Sequence, residues 1–502
     1  MPQKPDRPNI LVIITDQQRA DTMACYGNDW IQTPNMNALA DGSFVFQNAY
    51  VTQPVCTPSR STMLTGTYPH TNGLVRNSIA LAPDALSIAE MVSPEYRRLH
   101  YGKWHLGNDA SPQHGFQDWI STGHVDPGPD GTRQSDYHAW LAEQGVELPE
   151  HYVRPGGDGA GSERAVAQAN LSEDLTQAAF VGDITTRFLR EEADEPFLLF
   201  TNFFEPHPPY SGPLGDMYDA ATLPVGPEFL RSPEGHSLFN RSRSEFYLAG
   251  DHREDSVAGC DHHDLHGEAG WRALRANYMA NITLVDRQVG RILQALEESG
   301  HADDTIVVFT SDHGDMLGSQ GWDKKQKPWE ESIRVPFLLR YPALLGTEGR
   351  QVDTLIDIPD IMPTLLGLCQ LNIPESVEGL DFSAYLRGGD DPSDGAALLS
   401  CPHPFGQWHR QIGGREYRGL RTKRYTYARS LDGPWLLYDN ERDPYQLENL
   451  VDSPDTADLL KELDQHLSKR LALMGDEFLP GDDYLHQWGY QVDEKGTVPY
   501  RN

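Results

Sequence analysis

Cysteine is scarce in this chain: five in 502 residues, at 25, 56, 260, 369 and 401. An odd, scattered set without a CxxC pair fits neither a disulfide framework nor a zinc knuckle, so the thiols read as reduced. Positive charge is short as well. There are 41 Lys and Arg against 74 Asp and Glu, a net charge of −33, which argues against nucleic acid or an anionic membrane surface as partner. Long apolar runs are missing too. "NILVIIT" at 9–15 stops at Asp16, far below the ~20 residues of a membrane span. No export signal and no internal repeat is visible, so the sequence as it stands predicts a cytoplasmic protein, or a periplasmic or secreted one where a signal has been removed.

What is present suffices for a large core. Hydrophobic residues make up 38%, with 10 Trp and 21 Tyr, and the length suits one large domain plus a smaller one. "NILVIIT" has the unbroken β-branched pattern of a strand buried on both faces. "PFLLFTNFF" (196–204) and "TIVVFT" (305–310) repeat it, and "RLHYGK" (98–103) is a weaker strand candidate. Between them, 273–298 carries Leu274, Ile282, Val285, Val289, Ile292 and Leu296 mostly at helical steps, with Gly300 as a stop. Alternating strands and helices predict an α/β fold: a mostly parallel central sheet sandwiched by helices.

Glycine-rich polar stretches at 124–165 and 231–270 read as long surface insertions that shape a pocket. Within the second, "DHREDSVAGCDHHDLHGE" reads as a solvated loop, because no regular ligand spacing holds its histidines together. A boundary falls in "GLDFSAYLRGGDDPSDG" (379–395), giving a catalytic domain at 1–388 and a C-terminal subdomain at 389–502. There "REYRGLRTKRYTYAR" and "WLLYDNERDPYQLENL" predict a small antiparallel sheet, followed by a helix near 456–473.

Each buried strand runs into a chemically loaded residue. The first meets Asp16-Gln17, the third His207 in "EPHPPY", and the fourth Asp312-His313 in "TSDHGD"; the weaker one leads to Lys103 and His105 in "YGKWHLG". Singly, Asp16 could cap a turn, His105 could sit satisfied in the core, and Lys103 or Lys325 could be solvated. Ligands of open α/β sheets bind beyond the carboxyl ends of the strands, so these segments should converge. "VCTPSRSTMLTG" (55–66) adds a helix start: Thr57 is the expected N-cap and Pro58 the first helical residue. Cys56 would then sit at a helix N-terminus, which favours an anion, with Arg60 one turn on.

Cys56-Thr57-Pro58-Ser59-Arg60 followed by "STMLTGTYPH" resembles the signature of the type I sulfatases, in the alkaline phosphatase superfamily. "PNILVIITDQQRADTMACYG", "TPNMNALADGSFVFQNAY", "YGKWHLG", "SDHGDMLG", "KKQKPWEESIRVPFLLRYP", "RTKRYTYAR" and "DPYQLENL" follow in that family's order. The resemblance implies that a formylglycine-generating enzyme oxidises Cys56 to Cα-formylglycine, whose hydrated aldehyde is the nucleophile. It also implies that Asp16, Gln17, Asp312 and His313 hold one divalent cation together with that group. Calcium suits an oxygen-rich site, and the imidazole leaves room for manganese, with magnesium a further choice. By the same resemblance Arg60, His105 and His207 act with Cys56 in catalysis, while Asn77, Lys103 and Lys325 bind substrate. Gln17 stands where many members carry a second Asp, and His313 where many carry Asn. In this the chain resembles the subgroup of choline sulfatase and phosphonate monoester hydrolase, as does Asn77. The expected activity is hydrolysis of sulfate esters, on a sulfated carbohydrate or a small aryl or alkyl sulfate. A phosphonate or phosphate diester hydrolase on the same framework is the alternative, and a non-catalytic anion-binding protein is the third reading if Cys56 stays a thiol.

Overall fold

The computed structural model describes residues 7–123, 135–146, 170–232, 265–410 and 413–492, with Glu245, Leu248, His263 and Val498 as isolated positions. The expected α/β architecture is present: an eight-stranded sheet, mostly parallel, beside a separate four-stranded antiparallel one. The large sheet is built from β1 (Asn9–Asp16), β2 (Phe44–Tyr50), β3 (Arg97–Gly102), β4 (Asp118–Ser121), β5 (Phe197–Pro206), β6 (Thr305–Ser311), β7 (Phe337–Arg340) and β8 (Arg350–Asp357). Its spatial order is β4-β3-β5-β1-β6-β7-β2-β8. Only β7 runs against its neighbours. The four strands visible in the sequence, β3, β5, β1 and β6, are consecutive in that order and parallel.

The unbroken apolar run of β1 has a direct cause. Ile10, Val12 and Ile14 pack into the core on one face, beside Met63 and Leu64. Leu11 and Ile13 pack into the core on the other, against α2 (Gln177–Glu191) and α3 (Glu268–Glu298). A strand covered on both sides has no polar face to alternate. Truncating any of these buried side chains to Ala should cost ~2–5 kcal/mol. α3 begins five residues before the expected span of 273–298 and ends where expected, with Gly300 at φ +78 just past the cap at Ser299.

The smaller sheet has the order β12-β11-β10-β9, from β9 (Ala396–Cys401), β10 (Tyr417–Thr422), β11 (Tyr425–Ser430) and β12 (Gly433–Asp439). "WLLYDNERDPYQLENL" is therefore strand only as far as Asp439. Beyond it Asp443-Pro444 turns the chain, with Gln446 at φ +52. α4 (Ala457–Leu473) covers one face of this sheet through Leu463, Leu467 and Leu471. Its other face packs Trp408, Tyr417 and Trp435 with Trp322 and Trp329. Those last two tryptophans flank Lys325, so the small sheet buttresses the loop that carries it.

Of the two insertions, 135–146 is described and contains a helix at Asp136–Glu143, while positions 251–262 and 264 of "DHREDSVAGCDHHDLHGE" lie outside the described residues. Among the described residues, no helix is long and apolar enough to cross a membrane.

Candidate active site

The carboxyl ends of β1, β3, β5 and β6 deliver Asp16, Lys103, His207 and Asp312 to one edge of the sheet. α1 (Cys56–Thr65) meets them from the side and is buried along its whole length. It starts two residues earlier than its Thr-Pro signal suggests. Cys56 is already helical, and Val55 precedes it in extended conformation with no capping side chain of its own. Thr57 is thus not the N-cap: its hydroxyl donates to the carbonyl of His105 at 2.7 Å instead. Asn77 Oδ1 accepts the Thr57 N–H at 3.0 Å, satisfying one of the N–H groups a helix start leaves orphaned. That leaves the Asn77 amide N–H₂ as a donor. Gly66 closes the helix at φ +67, its N–H bonded to Thr62 O at 2.8 Å, a left-handed stop suited to glycine.

Cys56 is the centre of the cluster. Its sulfur lies 3.0 Å from Lys325 Nζ, 3.3 Å from His313 Nε2, 3.9 Å from Lys103 Nζ and 4.0 Å from Asp16 Oδ1. His105 and His207 stand close enough to interact with it electrostatically as well. Arg60 Nε donates to Asp312 Oδ2 at 2.8 Å and its Nη2 lies 3.5 Å from Asp16 Oδ2. Lys103 pairs with the same Asp16 oxygen and lies 4.9 Å from the centre of the Phe204 ring. Asp16, Cys56, Asp312 and His313 are each 0% exposed, so every charge here must be answered by another.

The electrostatics follow from that. Burial and the Cys56 sulfur work against a charged Asp16, but Lys103, His207 and Lys325 outweigh them and hold its carboxyl well below the usual range. Asp312 goes the other way, pushed up by burial and by the adjacent Asp16. Burial alone would raise the Cys56 thiol, yet Lys103, Lys325 and His313 draw it far down. Burial and the two lysines push His207 down to about 3, and burial with Lys103 lowers His105.

Asp16, Cys56, Asp312 and His313 also fit a metal ion. One ligand atom from each lies within 4.8 Å of all the others. His313 Nδ1 is 3.0 Å from the Gly314 carbonyl; a carbonyl only accepts, so Nδ1 carries a proton, and a metal displacing the proton on Nε2 would find that lone pair turned inward. Two buried carboxylates side by side, one pushed up by the other, are what a divalent cation would relieve. Gln17 is buried beside them, with its side-chain oxygen 2.7 Å from Lys325 Nζ.

All the residues singled out in the sequence lie in this cluster. Three more belong to it. Asn202 Oδ1 accepts from Arg60 Nη1 at 3.2 Å, and Tyr210 and Asp315 both bond Gln17. Tyr210 and Asp315 sit inside the quoted motifs "EPHPPY" and "SDHGD", which was their only sequence signal.

A family model described as Sulfatase matches residues 8–371, and one described as N-sulphoglucosamine sulphohydrolase, C-terminal, matches 318–472. An ulvan-active sulfatase of Formosa agariphila is 34% identical, the match spanning 99% of this chain and 88% of the relative. An arylsulfatase of Clostridium perfringens is 29% identical, over 97% and 98%. Among solved structures, a phosphonate monoester hydrolase of Agrobacterium radiobacter superposes with a TM-score of 0.74 at 26% identity, covering 99% of this chain and all of that one.

Proposed function

The chain belongs to the sulfatase family of the alkaline phosphatase superfamily and is a sulfuric ester hydrolase; from that premise we propose that it removes sulfate from a sulfated saccharide, using a nucleophile made from Cys56. The observation that carries this is Cys56 itself, wholly buried at a helix start among two lysines, three histidines and two aspartates. A structural cysteine needs no such surroundings. The saccharide is supported by relatives such as the ulvan-active sulfatase. The proposed parts are 1–388, carrying the chemistry, and 389–502, supporting the Lys325 loop.

Cα-formylglycine at position 56 would supply a geminal diol, one hydroxyl to take the sulfuryl group and one to expel it, and a divalent ion, calcium for preference, would supply positive charge for the sulfate oxygens. Asp16, Asp312 and His313 would hold that ion. Lys103 and Lys325 are placed to neutralise the remaining sulfate oxygens, which otherwise repel any nucleophile. Arg60 keeps Asp312 and Asp16 in place through its guanidinium. Asn77 presents its amide N–H₂ at the start of α1. His207 Nδ1 is tied to the Pro208 carbonyl at 2.8 Å and so keeps its proton; His207 would act as general acid in its imidazolium form, which an anionic sulfate ester beside it favours, passing the Nε2 proton to the leaving oxygen, with His105 as the second proton carrier.

His207→Ala should therefore slow saccharide or alkyl sulfates by ~10²–10⁴-fold, the usual worth of a general acid. An activated aryl sulfate, whose phenolate leaves unaided, should lose far less. Equal losses on both substrates would assign His207 to sulfate binding.

The likeness to a phosphonate monoester hydrolase supports a phosphonate or phosphate diester hydrolase as the second reading. Parallel kcat/KM measurements on sulfated mono- and oligosaccharides, an aryl sulfate and a phosphonate monoester decide. Preference for a sulfated saccharide is expected, and preference for the phosphonate overturns the proposal.

A further inference from the structure

Gln17 is a non-glycine residue held at φ +76, a conformation that persists only where the surroundings over-determine it. Here they do. Its N–H donates to Asp312 Oδ1 at 3.0 Å and its carbonyl accepts from the Tyr278 hydroxyl at 2.7 Å. The side chain is fully buried and every polar atom on it is engaged. The oxygen accepts from Lys325 Nζ at 2.7 Å, while the nitrogen reaches the Tyr210 hydroxyl at 2.9 Å and the Asp315 carboxylate.

The direction of this amide is fixed by chemistry. Lys325 offers only donors and a carboxylate offers only acceptors, so the amide oxygen must face the lysine and the amide nitrogen must face Asp315. Tyr210 donates its one hydroxyl hydrogen to Asp315 Oδ2 and can therefore only accept from Gln17. The other Asp315 oxygen accepts the Leu317 N–H at 2.9 Å, which stops the carboxylate from turning away.

We propose that Asp315 and Tyr210 are positioning residues that lock the Gln17 carboxamide with its oxygen toward Lys325, so that Gln17 anchors the sulfate-facing lysine and lends no ligand to the metal. An ammonium at 2.7 Å makes that oxygen a poor site for a second cation, because the two positive charges would share one small, dry acceptor. A neutral amide also suits the place. It turns its negative end to Lys325 and its positive end to Asp315, holding the lysine without adding an anion to a pocket that must admit sulfate.

The proposal rests on the sulfatase reading for its activity readout, and two further readouts are independent of turnover. Gln17→Met, Asp315→Asn and the double variant form a cycle, measured on kcat and KM, on the dissociation constant of inorganic sulfate, and on bound metal per chain by elemental analysis. Gln17→Met should lower sulfate affinity and kcat/KM by about tenfold or more, as for a lost hydrogen bond to a charged group, with metal content unchanged. Asp315→Asn should cost a similar factor alone and less than about twofold when added to Gln17→Met, since no amide then remains to be oriented. If Asp315→Asn does not fold, Tyr210→Phe takes its place in the cycle. Metal lost in Gln17→Met would make Gln17 a ligand and overturn the proposal. Equal losses in both backgrounds would overturn it too, by showing that the support acts independently of the amide. A wild type that binds sulfate through this coupled pair yet hydrolyses no sulfate ester would leave the anchor standing and remove the sulfatase reading.

Discussion

Stripping divalent ions from the protein should abolish sulfate release, and calcium, magnesium or manganese should restore it. The expected loss is large because the ion is asked to supply several kcal/mol of charge stabilisation, on the order of 10³-fold in rate or more. The reason lies in Asp16 and Asp312, both 0% exposed and close enough that Asp16 makes ionisation of Asp312 harder. Arg60 contacts both, but one guanidinium does not neutralise two carboxylates and also activate a substrate. The same cation should stabilise the fold, since a ligand held only by the native state at 100 times its Kd adds ~2.7 kcal/mol. Activity and melting temperature should thus rise together as metal is titrated back, and the ion giving both at the lowest free concentration is the resident one. Full activity in a sample shown by elemental analysis to hold no metal would remove Asp16, Asp312 and His313 from the role of ligands.

The parts of this site legible in the sequence are those attached to the strongest local patterns. Ile10–Ile14 is apolar without a break because β1 is central and covered on both faces. The residue where the run stops, Asp16, is then marked by contrast. The same holds for Asp312 after β6 and His207 after β5. β7 was invisible for the opposite reason: it has four residues, and its antiparallel direction is set by its neighbours β6 and β2. β8 begins exposed and ends buried, so it has no single period to read.

Thr57 shows how tertiary contacts override a local signal. A threonine before a proline is a sound N-cap pattern, but the His105 carbonyl takes the hydroxyl and Asn77 takes the N–H. Asn202, Tyr210 and Asp315 were missed because each acts on another side chain: Asn202 on Arg60, Tyr210 and Asp315 on Gln17. Nothing in their own flanking residues encodes those partners.

Cys56→Ser should separate attack from release, the two tasks assigned to position 56. Serine cannot follow cysteine's oxidation to the aldehyde, so the variant carries one hydroxyl where the matured protein carries two. Lys103, Lys325, Arg60 and the carboxylates keep their places, because serine is the smaller side chain and the helix start is held by the Thr57 contacts instead. An activated aryl sulfate should still be attacked by the serine hydroxyl, with Lys325 and Lys103 drawing charge from the sulfate oxygens. The resulting serine sulfate has no neighbouring hydroxyl whose deprotonation could expel the group. Phenol release should stop near one equivalent per chain, with no matching free sulfate, and steady turnover should fall by several orders of magnitude. The peptide spanning position 56 should then carry a sulfate on the introduced serine, whereas the same peptide from the wild type should show an aldehyde in place of the thiol. Sustained release of both phenol and sulfate by the variant would mean that one hydroxyl is enough. Cys56 would then owe its place among Lys325, His313 and Asp16 to some need other than a diol.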